Sequence, residues 1–221
     1  MLGVRRSPDA EKSLSRDRSQ LRGQMERALR RDDFTCRFCG FHAVQYQRVV
    51  PWEGEDPPFA TACSFCEQCL ALDRAGLAGA GLLIWLPEIG QADLHHIARA
   101  AYVARTTDNE LAAAATRALD GLVARRADAK KRLGSDDPLL LATVMHEMLD
   151  DKEYARAASK LDGVRLMPLN KHLMRTPKGA LIDQFPQILK YWASPAGPYA
   201  RLPVDSWADL FKTASQSVGH A

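Results

Sequence analysis

Apolar residues fall at Leu21, Met25 and Leu29, a spacing of four that marks one face of a helix beginning near residue 15 and ending at Arg31-Asp32-Asp33. The pattern then changes. Residues 34–52 read as a short ribbon: a Cys-x-x-Cys-Gly turn, then Val44, Tyr46, Val49 and Val50, closed by Pro51. Gly40 follows the cysteine pair where the chain must turn with φ above zero, which glycine does without steric cost. Residues 53–58, rich in glycine, proline and acid, form a loop, and a second cysteine pair opens a helix over 64–74. Gly76, Gly79 and Gly81 break it ahead of Leu82-Leu83-Ile84-Trp85-Leu86, a buried strand stopped by Pro87.

Beyond this point the periodicity is helical. Residues 91–105 place Leu94, Ile97, Ala98, Ala101 and Tyr102 on one face, and residues 108–133 repeat the pattern with Leu111, Ala115, Leu119, Leu122 and Val123. Asp136-Asp137-Pro138 is a helix start, with Asp at the cap and Pro in the first turn of a helix running to about residue 149. Further helices are expected over 151–161, 181–192 and 205–214, with a connector beginning at Met167-Pro168 and a proline-rich loop over 194–203. Trp52, Trp85, Trp192 and Trp207 read as core or groove residues, Trp85 as the surest in the core. The organisation predicted is a flexible arm over 1–14, a ribbon-bearing module with its leading helix over 15–90, and a helical region over 91–221.

With 221 residues the chain suffices for one ordinary domain or for a small module beside a larger one. Its formal net charge is only +3, too small to give the whole molecule a field that holds nucleic acid. The local excess lies at the start, in Arg5, Arg6, Lys12, Arg16, Arg18, Arg22, Arg27, Arg30 and Arg31, and reads as a solvated helix face before a nucleic-acid patch. Residues 1–22 lack the apolar stretch of a secretory signal, and the longest apolar run, 82–87, is too short to cross a bilayer.

All five cysteines lie between Cys36 and Cys69. A secreted scaffold would spread its cysteines to staple distant loops, so the clustering argues for metal in a reducing, cytosolic compartment. Cys36 and Cys39 form one Cys-x2-Cys pair, and Cys63 and Cys66 another. Each pair curls its backbone so that both thiolates face one cation, and two pairs complete the tetrahedral shell of zinc, with Zn–S near ~2.3 Å. A thioredoxin-like redox pair and an iron–sulfur cluster are weaker fits to this spacing. Cys66-Glu67-Gln68-Cys69 is itself a Cys-x2-Cys pair, so Cys69 competes with Cys63 as a ligand. Cys63 is preferred because it precedes the helix as Cys36 precedes its turn, while Cys69 suits a buried thiol. Arg37, inside the first knuckle, is the expected donor to offset the thiolate charge, with backbone amides sharing the task. A closed four-thiolate shell has no open position for substrate, so one structural zinc ion is expected and no catalytic residue.

Arg31-Asp32-Asp33-Phe34-Thr35-Cys36-Arg37-Phe38-Cys39-Gly40 resembles the opening of HNH-type nuclease domains, whose zinc-bearing ββα core continues into an Asp-His-Ile-Val-Pro-like strand. Here that strand reads Gln47-Arg48-Val49-Val50-Pro51, so Arg48 stands where the general base would be, and an arginine stays protonated. The Asn expected before the second pair is missing near Pro58, and Glu67 follows Cys66. The resemblance therefore implies the scaffold without the catalytic set. His42 is the nearest histidine and reads as a polar turn residue.

The same opening, with Ala60-Thr61-Ala62-Cys63-Ser64-Phe65-Cys66-Glu67-Gln68-Cys69, the stretch 82–88 and Val164-Arg165-Leu166-Met167-Pro168, resembles the IcmJ/DotN family of type IVB (Dot/Icm-type) secretion systems. That resemblance implies a non-catalytic zinc adaptor, cytoplasmic and peripheral at the inner membrane. It would dock on the C-terminal tail of the coupling ATPase and contact other coupling-complex subunits without inserting into the membrane itself. The fold class expected is α+β, mostly helical, with a small HNH-like ββα zinc module packed against a helical region. The alternative is a degenerate HNH-type DNA-binding protein using the N-terminal arginines, or, further down, an active HNH nuclease.

Other constellations add no enzyme. His146-Glu147 lacks a second histidine four residues on, since Asp150 stands there. His95 and His96 lie on adjacent helix faces and cannot converge on one metal, and at least one is expected to be exposed. The glycines at 76, 79 and 81 lack the Lys-Ser/Thr of a phosphate loop.

Overall fold

The computed structural model describes Leu2, residues 18–176 and residues 178–218, so the arm expected over 1–14 lies, but for Leu2, outside the described residues. The first helix, α1 (Arg18–Arg31), turns Ala28 fully inward against the second strand and leaves Arg22, Arg27 and Arg30 in solvent. It stops where Asp33 and Phe34 take positive φ (47° and 50°), which swings the chain into the first cysteine turn. An isolated bridge between Thr35 and His42 frames that turn, and Gly40 at φ 73° closes it.

Strand β1 (Arg48–Pro51) pairs antiparallel with β2 (Phe59–Ala62), in a register running from Arg48 opposite Ala62 to Pro51 opposite Phe59. The chain passes directly into α2 (Ser64–Leu70), giving a β-β-α succession. The helix predicted over 64–74 is two helices, α2 and α3 (Leu72–Leu77), separated at Ala71, whose ψ of 64° leaves the helical region. The break has a packing consequence. Phe65 and Cys66 of α2 enter one hydrophobic core while Leu72 and Ala75 of α3 enter a second.

Strand β3 (Gly81–Trp85) pairs antiparallel with β4 (Val164–Pro168), which sequence had as a connector. Four of the five β4 residues are buried, so the strand shows no alternation of polar and apolar positions by which to recognise it. Between them run α4 (Gln91–Ala104), α5 (Glu110–Ala124), α6 (Arg126–Leu133), α7 (Pro138–Thr143) with its π-helical turn Val144–Met148, and α8 (Asp151–Lys160). The single helix predicted over 108–133 divides at Arg125, whose side chain donates to the Trp85 carbonyl at 2.8 Å and so brings α6 onto β3. Asn109 caps α5, and Asp137 caps α7 by accepting from the Leu139 amide at 2.8 Å, as an Asp-Pro start requires.

After β4, a hairpin of β5 (Leu173–Arg175) and β6 (Leu181–Asp183) leads to α9 (Phe185–Trp192), a 3-10 turn Val204–Ser206 and α10 (Trp207–Val218). The helix expected over 181–192 thus begins four residues late, because 181–183 pair as a strand. Trp192, 2% exposed, is the deepest tryptophan; Trp85 is only half-buried, its ring covered by the Arg132 guanidinium at 3.8 Å. The fold is α+β and mostly helical, with small antiparallel sheets. Among the described residues no helix is long and apolar enough to cross a membrane.

Candidate metal centre

The first cysteine turn is built by the backbone. The Cys36 amide donates to the Phe41 carbonyl, the Gly40 amide to the Cys36 carbonyl, and the Arg37 amide to the Thr61 carbonyl on β2, all at 2.8–2.9 Å. That last bond brings the Cys36–Cys39 turn beside the end of β2, where Cys63 is the N-cap of α2 and Cys66 lies in its first turn. The Sγ atoms of Cys36, Cys39, Cys63 and Cys66 all lie within 4.8 Å of one another. Cys36, Cys63 and Cys66 are buried and Cys39 partly so. Among the described residues this is the only such cluster of metal-ligating side chains, and Cys69 is outside it.

The spacing suits a cation held by sulfur. A tetrahedron with Zn–S near ~2.3 Å has S···S edges of about 3.8 Å, and Cys39 Sγ lies 3.7 Å from Cys63 Sγ. Crowding of the thiols drives their acidities apart. Cys36 is lowered, chiefly through its bond with Cys39, whereas Cys39 and Cys66 are raised, chiefly by Cys36. At Cys63 burial pushes upward, but bonds from Cys36, Cys39 and Cys66 and the charge of Arg99 outweigh it and hold the thiol well below its ordinary value.

Arg99, not Arg37, supplies the cationic donor. Arg37 is turned away to Asp32 (3.4 Å) and Glu55 (3.0 Å). Arg99, fully buried on α4, donates from Nη2 to Cys63 Sγ at 3.4 Å, and its guanidinium lies 3.6 Å above the Phe41 ring centroid with Phe65 and Trp192 also near. The Cys66 amide adds a longer contact to Cys63 Sγ at 3.5 Å. Asp32, buried, ties the scaffold together: its carboxylate accepts from Arg31 and from the Thr61 amide at 2.9 Å.

His95 is the second residue that sequence reasoning left aside. It is fully buried, with Nδ1 3.2 Å from Cys66 Sγ and Nε2 3.6 Å from Cys69 Sγ and 2.8 Å from Gln91 Nε2. Gln91 uses its own oxygen to accept from the Leu166 amide, so its nitrogen is the end that faces His95. A donor at Nε2 makes that nitrogen the acceptor, which leaves the proton on Nδ1, aimed at Cys66. Burial, only partly opposed by the charge of Cys63, lowers the His95 pKa to about 4, so the ring is neutral at neutral pH. Exposed His96 meets the Cys39 carbonyl through Nε2 at 2.7 Å. One signal could have found this pair of helpers: Gln91, His95 and Arg99 recur every four residues as a polar ridge on a helix whose other inward positions are apolar.

Arg48 serves as a strut. Its Nη2 touches His172 Nε2 at 2.7 Å, Gln184 Oε1 at 2.7 Å and the Met174 sulfur, tying β1 to the β5–β6 hairpin and the start of α9. His42 is exposed at its turn, and Cys69 is buried, which pushes its thiol up.

No family model matches the chain. Among curated proteins, it is 30% identical over 152 residues to the type 4 apparatus protein DotN of Legionella pneumophila subsp. pneumophila, a match covering 65% of this chain and 71% of that protein.

Proposed function

The chain belongs to the IcmJ/DotN family of type IVB secretion systems, and on that premise we propose that it is a non-catalytic zinc adaptor docking on the C-terminal tail of the coupling ATPase. The observation that carries the reading is the relationship to a protein named as part of a type 4 apparatus, joined to a four-cysteine cage of zinc-like dimensions. In this reading Cys36, Cys39, Cys63 and Cys66 hold the ion. Zinc bound this way supplies cross-linking free energy, roughly 10–16 kcal/mol in apparent terms, and no reactive position. Arg99 and the Nδ1–H of His95 share the thiolate charge, and the cage fixes the first turn against α2. The β-β-α succession that holds it is the degenerate HNH-like core, with Arg48 committed to structural contacts in place of a base. Work as an adaptor places the chain in the cytoplasm, held at the inner membrane by its partner.

The test is capture of the purified chain on the immobilised coupling-ATPase tail, with duplex DNA binding measured at low and physiological salt alongside. A stoichiometric complex with the tail that is little altered by salt is expected. Retained DNA affinity that collapses with salt, with no tail binding, would instead favour the DNA-binding reading, for which the exposed Arg22, Arg27 and Arg30 of α1 speak.

A further inference from the structure

The β5–β6 hairpin holds apolar side chains where solvent reaches them. Leu181 is 60% exposed and Ile182 46%, on neighbouring positions of β6 and therefore on opposite faces of the ribbon. Among the described residues this sheet has two strands only, so β6 has one edge with no neighbouring strand there. Register shows which backbone groups occupy it. Gln184 donates to the His172 carbonyl and Thr176 to the Ala180 carbonyl, which makes Met174 and Ile182, midway between, a hydrogen-bonded pair. Leu181 and Asp183 are then the residues whose amide and carbonyl turn outward, away from β5. Proteins ordinarily guard such an edge with inward charge, a bulge or a covering loop; here it carries two large aliphatic residues.

The electrostatic surroundings restrict what could cover it. Residues 164–192 hold five Lys or Arg against one acid, Asp183. The Asp183 carboxylate is already used, accepting from the His172 and Phe185 amides at 2.9 and 3.0 Å. Among the described residues, Lys171, Arg175, Lys178 and Lys190 have no carboxylate partner within ion-pair distance. We propose that the free edge of β6 docks an extended, acidic polypeptide segment with apolar residues at alternate positions, which joins the hairpin as a third strand. The open backbone groups ask for an extended chain, Leu181, the more exposed of the pair, for apolar residues at every second position along its own face, and the lysines and arginine for acid at the positions between. The proposal does not depend on the reading of the chain as an adaptor for the coupling-ATPase tail.

The test uses the full chain and labelled, end-blocked peptides of about ten residues alternating Val with Glu, beside the same peptides with Lys for Glu. Fluorescence anisotropy should show saturable binding of the Glu peptide at least about tenfold tighter than the Lys peptide, weakening as salt rises. Leu181→Pro removes an outward amide without removing a hairpin bond, and should cost at least about tenfold in affinity with the far-UV spectrum unchanged. Lys178→Glu should weaken binding several-fold. A Glu peptide N-methylated at every residue offers no amide on either edge and should lose binding to the unaltered protein, so the result stands even if the proline variant misfolds. Equal binding of Glu and Lys peptides, full affinity of the N-methylated peptide, or no saturation at millimolar peptide would overturn the proposal. So would preference for a single-stranded oligonucleotide at the same residues, or a dimer that Leu181→Pro dissociates.

Discussion

Arg99 is fully enclosed by Phe41, Phe65 and Trp192, with its charge directed at Cys63. A guanidinium buried this way is stable only while the thiolates balance it, and the thiolates in turn need its charge. Arg99→Leu is expected to cost about 3–5 kcal/mol in urea denaturation and to speed zinc loss to a chelator. Arg99→Lys should not restore either, since an ammonium cannot lie flat on the Phe41 ring while reaching the sulfur. For the cage itself, serine at Cys36, Cys39, Cys63 or Cys66 should take metal content from about one zinc per chain to near none, read by mass spectrometry, while Cys69→Ser keeps it. Loss at Cys69 with tolerance at Cys63 would transfer the ligand role to Cys69.

His172 gives a pH dependence with a definite sign. Burial, then the charge of Arg48, lower its pKa from the ordinary 6.5. The unfolded chain therefore takes up this proton first as pH falls, and the folded state loses stability relative to it. This contribution is fully present above about pH 6.5 and declines below it, toward the lowered folded pKa. His172→Gln, which can still accept from Arg48, should flatten the dependence of unfolding free energy on pH between about 7.5 and about 5.5. An unchanged slope would mean the ring is not neutral in the fold.

At the scale of elements, the β3–β4 ladder depends on a close approach. Gly163, at φ 84°, sits just before β4, and a Cβ there would lie 2.5–2.9 Å from the Trp85 ring. The same residue accepts from the Leu86 amide at 2.8 Å, which fixes the end of β3. Both a left-handed backbone and a clash with an indole already covered by Arg132 oppose any side chain. Gly163→Ala should therefore destabilise by at least about 2 kcal/mol, measured as a lowered urea midpoint at unchanged slope.

For the whole molecule, the ladder joins residues 81–85 to 164–168, and Phe65 of the cysteine-bearing helix meets Trp192 of α9 at 5.5 Å between ring centroids. Residues from both predicted segments, 15–90 and 91–221, thus share one core with Cys36, Cys63 and Cys66. Unfolding should be a single transition seen alike by circular dichroism and tryptophan fluorescence, and chelation of zinc should lower its midpoint throughout. A fragment of residues 15–90 should remain unfolded even with zinc, because β3 and Phe65 would lose their partners; a folded, zinc-loaded fragment would show the segments to be independent.

The sequence alone determined what depends on local spacing. Two Cys-x2-Cys pairs, Gly40 at its positive-φ turn, the Asp137-Pro138 helix start and the apolar faces of α4 and α5 are each specified within a few neighbouring residues, and the family resemblance came from such short strings. Tertiary structure alone decided what depends on distant partners. Val164–Pro168 became a strand because β3 lay beside it, Leu181–Asp183 left the helix predicted there to pair with β5, and Arg125 interrupted a continuous helical pattern to reach the Trp85 carbonyl. The roles of Arg99 and His95 belong to the second group as well: a buried charge or imidazole is tolerable only opposite particular atoms, and those atoms stand some thirty residues away in the chain.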